Sequence, residues 1–311
     1  MRRGLLLVVV AVMLIPAGPA LAADLGELLR ESRDASYTAE QVISCSTPNG
    51  VQNAVVDIAQ AGGELQVTSP VGPDVEVASG SGGWTLVRDG AVVSSASVVG
   101  TDSAADSAAE PRYTLDDGQP TQVLGRPATS YRMVGDGVVR AELVFDSESG
   151  VLVRAVTYGD DGTVYCERRF IEFDPDKPTL DVSETVADSN LPPAEVETTL
   201  PEQLAGFQRL DVYQDDEGFI FAYYSDGFFS FAVFQTPTRV ALDDPSQVAY
   251  SGHSYDRIFS PGQATYSWEI AHGGMALVGD LPPDMHQAVL DGLPAPYDPG
   301  LLRRLWRSLF G

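Results

Sequence analysis

Residues 145–164 read FDSESGVLVRAVTYGDDGTV. An acidic, glycine-ended turn stands at each end: DSESG before Val151 and GDDG after Tyr158. Between them lies a β-branched and aromatic run, so the stretch reads as strands joined by tight turns. It holds no nucleophile, metal-ligand set or phosphate loop. The best-patterned part of the chain therefore specifies a bare meander, and the fold depends on how far that meander extends.

It extends in both directions. Upstream come YTAEQVISCS (37–46) and VQNAVVDIAQ (51–60), separated by a TPNG turn signal. GELQVTS (63–69), DVEVAS (74–79), GWTLVRDGAVVSSASVV (83–99) and RYTLDD (112–117) follow in short pieces punctuated by Gly, Pro or Asp. The pattern resumes in QVLGRPATSYRMVGDGVVRAELVFD (122–146) and runs through TVYCERRFIEF (163–173). About ten short strands in sequence predict an antiparallel meander that curls, since so wide a sheet rarely stays flat. Val139, Ala141, Leu143 and Phe145 are expected to form one apolar face. Before the meander, Asp24-Leu25-Gly26-Glu27 has the form of a capping box, and Leu25, Leu28 and Leu29 share one helical face. A short helix is expected to cover the sheet.

The ends and the charge say where such a chain works. Arg2 and Arg3 precede an apolar run from Leu5 to Ile15, followed by Pro16, Gly18 and Ala20-Leu21-Ala22. That is the pattern of a secretory signal peptide, residues 1–22, cut after Ala22. Against 44 acidic residues stand 19 Lys and Arg, giving a net charge of −25. Such a surface repels nucleic acid and anionic lipid over most of its area. The two cysteines, Cys45 and Cys166, are too few for a disulfide scaffold and have no metal or redox spacing. Both lie in strand-like segments of an exported chain, so a Cys45–Cys166 bridge is predicted over two free thiols.

From Asp174 onward the chain is rich in Pro and acids, and residues 175–199 read as a linker. A second block, 200–293, contains the hairpin candidates GFIFAYYSDGFFSFAVFQ (218–235) and ATYSWEIAHGGMALVGD (264–280). LPPDMHQAVLDG (281–292) reads as a helix, with Asp280 as its cap and Pro282 in its first turn. This predicts a small antiparallel sheet with one helix. Residues 294–311 end in DPGLLRRLWRSLFG, where Leu302, Leu305 and Trp306 share one helical face and Arg303, Arg304 and Arg307 the other. A membrane surface or the protein's own acidic face would hold such a helix.

Catalytic patterns are not visible. The three histidines, His253, His272 and His286, have no partner at ligand spacing, and no nucleophile elbow, zincin helix, phosphate loop or EF-hand occurs. No catalytic residue, metal or cofactor is assigned.

The residues do resemble a known family. Gly125-Arg126-Pro127-Ala128, then Phe145-Asp146 with Gly150 and Leu152, then Asp161-Gly162, resemble the closing half of the lipoprotein-carrier-like domain of the MucB/RseB family. YSDGFFSFAVF (224–234) and ATYSWEIAHGGMALVGDLPPDMHQAVLDGL (264–293) resemble that family's small C-terminal domain. The resemblance implies a mainly β, α+β chain. An unclosed antiparallel barrel with a covering helix (23–174) is followed by a small sheet domain with one helix. It implies a non-enzymatic regulator that binds the extracytoplasmic part of a membrane-spanning anti-sigma factor and answers a lipid or lipoprotein signal. A lipid or lipoprotein carrier is the alternative. Trp84, Leu86, Leu143 and Phe145 are candidates for lining an acyl cavity, or else form core under the helix. Tyr223, Tyr224 and Phe228 are candidates for meeting the partner at the YSDG turn.

Overall fold

The computed structural model describes residues 24–70, 75–80, 83–88, 91–96, 112–175, 198–214, 218–260 and 263–297, with backbone alone between 75 and 96. The expected signal peptide, most of the expected 175–199 linker, the 298–311 tail and the side chains of Trp84 and Leu86 lie outside the described residues.

Helix α1 (Leu25–Asp34) opens the described chain. Asp24 caps it, its carboxylate accepting from Gly26 N at 2.8 Å and Glu27 N at 3.4 Å. At the other end Gln60, buried in the sheet, donates its amide to the carbonyls of Ser32, Arg33 and Ala35. Those are orphan carbonyls of the last turn, so one side chain closes the helix and ties it to the sheet.

The first sheet contains β1 (Tyr37–Thr47), β2 (Gly50–Ala61), β3 (Glu64–Thr68), β4 (Val75–Gly80), β5 (Gly83–Arg88), β6 (Ala91–Ala96), β7 (Tyr113–Leu115), β8 (Gln119–Val123), β9 (Arg126–Gly135), β10 (Val138–Asp146), β11 (Leu152–Tyr158) and β12 (Val164–Asp174). Its order is β6-β5-β4-β3-β2-β1-β12-β11-β10-β9-β7, with β8 also on β9, and every pairing is antiparallel. Among the described residues the two ends do not pair, so the barrel is unclosed, as expected. The long-range seam is β1 on β12, and Cys45 and Cys166 face each other there and are bonded.

The second sheet contains β13 (Gln203–Leu204), β14 (Phe207–Gln214), β15 (Ile220–Ser225), β16 (Ser230–Thr236), β17 (Ser246–Tyr250), β18 (His253–Ser260), β19 (Gln263–Ile270) and β20 (Gly273–Gly279), followed by α2 (Pro283–Asp291). Its order is β13-β14-β15-β16-β20-β19-β18-β17. Asp136-Gly137 and Ser251-Gly252 turn two hairpins with both residues at positive φ, the mirror-image turn that the strand twist favours.

Three sequence expectations are corrected. Val139 does not continue the apolar face of Ala141, Leu143 and Phe145. The register shifts between Val139 and Ala141, so Val139 is exposed while Arg140 turns inward. Asp280 does not cap α2. Pro282 occupies the cap position without a side-chain bond, and Asp280 pairs with Arg168 instead. Tyr224 does not reach the surface. It is 0% exposed, stacks on Phe231 at 5.0 Å and donates its hydroxyl to the Pro201 carbonyl. Neighbours on a strand face opposite ways, so Tyr223 and Tyr224 do not both point outward. Tyr224 shares the buried face with Ile220 and Ala222, and Tyr223 lies on the other.

The two sheets share one core. A single apolar cluster runs from Leu25, Tyr113, Met133, Leu143 and Phe145 into Phe229, Tyr224, Trp268 and Leu281. A second, smaller cluster with Tyr37, Val144 and Phe170 includes the opposite face of β10, where Val144 alternates with Leu143 and Phe145.

Candidate functional site

The joint between the sheets is built around Asp226, the acid of the YSDG turn. Its Oδ1 accepts from Phe228 N at 3.1 Å and Phe229 N at 2.9 Å, which shapes the turn. Its Oδ2 accepts from the Tyr113 hydroxyl at 2.6 Å, across 113 residues of sequence. Arg112 Nη1 lies 3.0 Å from the same oxygen as an ion pair. The carboxylate is 1% exposed. Burial pushes its pKa up, outweighing the downward pull of Tyr113, Arg112 and the two backbone N–H groups. Burial and the facing Asp226 push the Tyr113 phenol far up, so Tyr113 remains a proton donor.

Two further ion pairs cross the joint with the same polarity. Arg140 Nη1 reaches Asp284 on α2 at 2.7 Å, and Arg168 of β12 pairs with Asp280. In all three pairs the arginine belongs to the first sheet's part of the chain and the aspartate to the second. A half-buried pair of this kind is costly to break, because the abandoned partner stays desolvated. The joint is therefore an apolar contact held in register by charge.

A cleft of about 330 Å³ opens at its edge. Leu29 of α1, Leu152 of β11, Phe228 and Phe229 form its apolar wall, with Arg168 and Asp280 at the polar side. A separate groove of about 620 Å³ lies over β1, β2 and β12, where Glu40, Asp57 and Glu172 flank Ile58 and Phe173. Among the described residues no group of three or more His, Cys, Asp or Glu is arranged to hold a metal ion, and no helix is long and apolar enough to cross a membrane.

Of the four acyl-cavity candidates, Leu143 and Phe145 are 0% and 3% exposed and belong to the core shared by α1 and the second sheet. Neither lines the cleft or the groove. Trp84 lies opposite Ala96 on β5, and Leu86 opposite Ser94. Of the partner candidates, Phe228 sits half-buried in the cleft wall and meets the Tyr113 ring edge-on, centroids 6.4 Å apart. Sequence reasoning missed Arg112, Tyr113, Arg140, Arg168 and Asp284, and gave Asp280 to the helix cap. The one available signal was an acid in YSDG, which reads as ordinary turn chemistry.

No family model matches the sequence, and no curated protein matches it. Solved structures do. MucB alone superposes with a TM-score of 0.55 at 18% identity, over 89% of this chain and 99% of that one. The complex of Pseudomonas aeruginosa MucA and MucB gives 0.51 at 16% identity, over 89% and 100%. MucB in complex with MucA(peri) gives 0.50 at 18% identity, over 88% and 98%.

Proposed function

We propose that this chain, which has the fold of MucB over nearly its whole length, is an exported, non-enzymatic regulator that binds the extracytoplasmic part of a membrane-spanning anti-sigma factor and answers a lipid or lipoprotein signal. The observation that carries this reading is the superposition on MucB across 89% of this chain, a span that takes in both of its sheets, and 99% of that one. In two of the matching structures MucB is held together with MucA. The joint adds physical support. A binding protein that reports a signal needs two parts whose relation can change, and here a charged seam joins two sheets. The alternative, a lipid or lipoprotein carrier, draws on the unclosed barrel alone and gives the second sheet no task.

The test is capture of the exported segment of a single-span protein encoded beside this chain together with a sigma factor. The full mature chain should bind that segment with one-to-one stoichiometry and protect it from a periplasmic-type protease. Because the sheets share a core, the two halves are not tested apart. Tyr223→Ala, on the half-buried outer face of β15, and Phe228→Ala, in the cleft wall, probe the second sheet within the intact chain. Absence of capture by the wild-type chain would remove the regulator reading. Undiminished capture by both variants would remove the YSDG hairpin from the contact.

A further inference from the structure

The cleft at the joint has the makings of a ligand site that the MucB likeness does not assign. Its volume of about 330 Å³ sits at the lower end of small-molecule pockets, which span roughly 300–1,000 Å³. That is room for one narrow chain rather than a multi-chain lipid. Leu29, Leu152, Phe228 and Phe229 give it an apolar wall. Arg168 gives it a fixed cation, with Arg33 of α1 also in the lining. In a chain with a net charge of −25 these arginines mark a local exception to the surface field.

Asp280 currently occupies the cation. Its Oδ1 is sealed from solvent and has no hydrogen-bond partner among the described residues. Burial pushes its carboxyl up, against the pull of Arg168. The pair is thus incompletely satisfied on its acidic side: the carboxylate is half-buried, and its sealed oxygen without a donor destabilises the closed state. The turn 226–229 lies on both the cleft and the joint. Phe228 and Phe229 line the cleft, while their backbone N–H groups hold Asp226 and their rings meet Tyr113. A ligand that presses on Phe228 therefore acts on the Asp226 contacts directly.

We infer that this cleft binds a single-chain anionic amphiphile, a carboxylate or phosphate head on one acyl or alkyl chain, whose head replaces Asp280 on Arg168 and so loosens the joint. The inference rests on the lipid-response part of the proposed function and gives that response a location and a lever. The head is held by charge-assisted hydrogen bonds from the guanidinium. The chain lies along Leu29, Leu152 and Phe228. The displaced Asp280 leaves the second sheet without one of the three ion pairs that cross the joint among the described residues.

The experiment is calorimetric titration of the full mature protein, below micelle-forming concentrations, with myristate, tetradecyl phosphate, tetradecanol and inorganic phosphate. Phe228→Trp provides a fluorescence reporter in the turn. Myristate and tetradecyl phosphate should bind and shift the reporter, and the stronger of the two identifies the head. Tetradecanol should bind at least tenfold more weakly, and inorganic phosphate should leave the reporter unmoved. Arg168→Gln should weaken the anionic amphiphiles at least tenfold. Asp280→Asn, which removes the competing carboxylate at constant shape, should strengthen them. If Asp280→Asn leaves affinity unchanged or lowers it, the replacement mechanism is wrong. If amphiphiles bind but ignore both substitutions and the reporter, they bind elsewhere, and the lipid response survives while this site does not. If none binds the wild-type chain, the lipid response itself falls.

Discussion

Removing the Tyr113 hydroxyl isolates the hydrogen bond at the centre of the joint. The Tyr113 ring is tightly seated, since a Cβ built on Gly135 would lie 2.6 Å from it. Tyr113→Phe therefore keeps the packing against Phe228 and Phe229 and deletes one oxygen. That oxygen donates to Asp226 Oδ2 at 2.6 Å. The ion pair from Arg112 Nη1 to the same atom lacks hydrogen-bond alignment, so Tyr113 is the directed donor that Oδ2 has. A hydrogen bond to a buried charged group contributes about 1.5–3 kcal/mol, and the carboxylate left behind stays desolvated. Urea unfolding of the oxidised mature protein should show a loss of about 2 kcal/mol for Tyr113→Phe. A cycle with Asp226→Asn should give a coupling of at least about 1 kcal/mol, as for residues in direct contact. If the joint couples the sheets, the variant's transition should also broaden or divide in two. A loss under about 0.5 kcal/mol, the range of an ordinary surface change, would refute the reasoning: Asp226 would then be satisfied by the backbone and Arg112 alone.

Three further outcomes are expected. Reduction of Cys45–Cys166, or its replacement by two serines, should lower stability by about 2–5 kcal/mol, the upper end being the chain-entropy value for so long a loop, because the bridge spans 121 residues and pins the β1–β12 seam; an unchanged urea midpoint under reductant would deny it that role. His286 is fully buried against Tyr266, and burial lowers its pKa from 6.5 to about 3, although a bond to the Gly279 backbone pulls upward. The neutral ring thus stabilises the fold above pH 6.5, and that contribution is lost as acid protonates the unfolded chain first; the loss approaches about 5 kcal/mol by pH 3 at 1.36 kcal/mol per pH unit. His286→Gln should flatten the stability profile between pH 6.5 and 3, and a parallel profile would show that His286 titrates normally. Truncation after Tyr297, which spares its backbone bond to Glu269, should weaken binding to anionic vesicles without lowering the melting temperature if residues 298–311 lie on a membrane; the reverse result would make the tail a structural strap.

The meander was legible because each turn carries its own chemistry within a few residues. Asp146 is the clearest case. Its Oδ1 accepts from Glu148 N at 3.2 Å, Ser149 N at 2.9 Å and the Ser149 hydroxyl at 2.8 Å. Its Oδ2 accepts from Arg126 Nε at 2.7 Å, and Ser147 N donates to Pro127 O at 3.0 Å. So the Gly125-Arg126-Pro127 and Phe145-Asp146 signatures that carried the family resemblance are two sides of one structural lock. They identify a fold and say nothing about a ligand. The Cys45–Cys166 bridge was equally readable, since both cysteines lie on strands and the seam pairs them. Val139 was misjudged because a bulge is invisible to a period-2 count. The joint was invisible for a different reason. Its pairs are separated by 112 to 144 residues, and no local pattern marks an arginine that answers an aspartate across two sheets.

That placement of arginine also explains how so acidic a chain tolerates its charge. Among the described residues of the first sheet, Arg126 is held by Asp146 and Glu148, and Arg154 by Glu142 and Glu167. Arg112, Arg140 and Arg168 are held at the joint. These five cations lie in seams, while Arg30, Arg132 and Arg169 are exposed; the acids that remain face water, where mutual repulsion is screened within about 8 Å in physiological salt. An approaching anion therefore meets repulsion over the open surface and finds guanidinium where the sheets meet. Affinity for an anionic head and separation of the sheets thus draw on the same arginines. A ligand that gains Arg168 does so at the expense of a contact that keeps the joint closed. This reciprocity makes a measurable demand: whatever opens the joint, including Tyr113→Phe, must also raise the cleft's affinity for an anionic amphiphile, since linkage between two equilibria runs both ways. Tyr113→Phe removes no cleft-lining side chain, so an affinity that stays at the wild-type value in a variant with a demonstrably weakened joint would sever the proposed lever while leaving the fold and its core untouched.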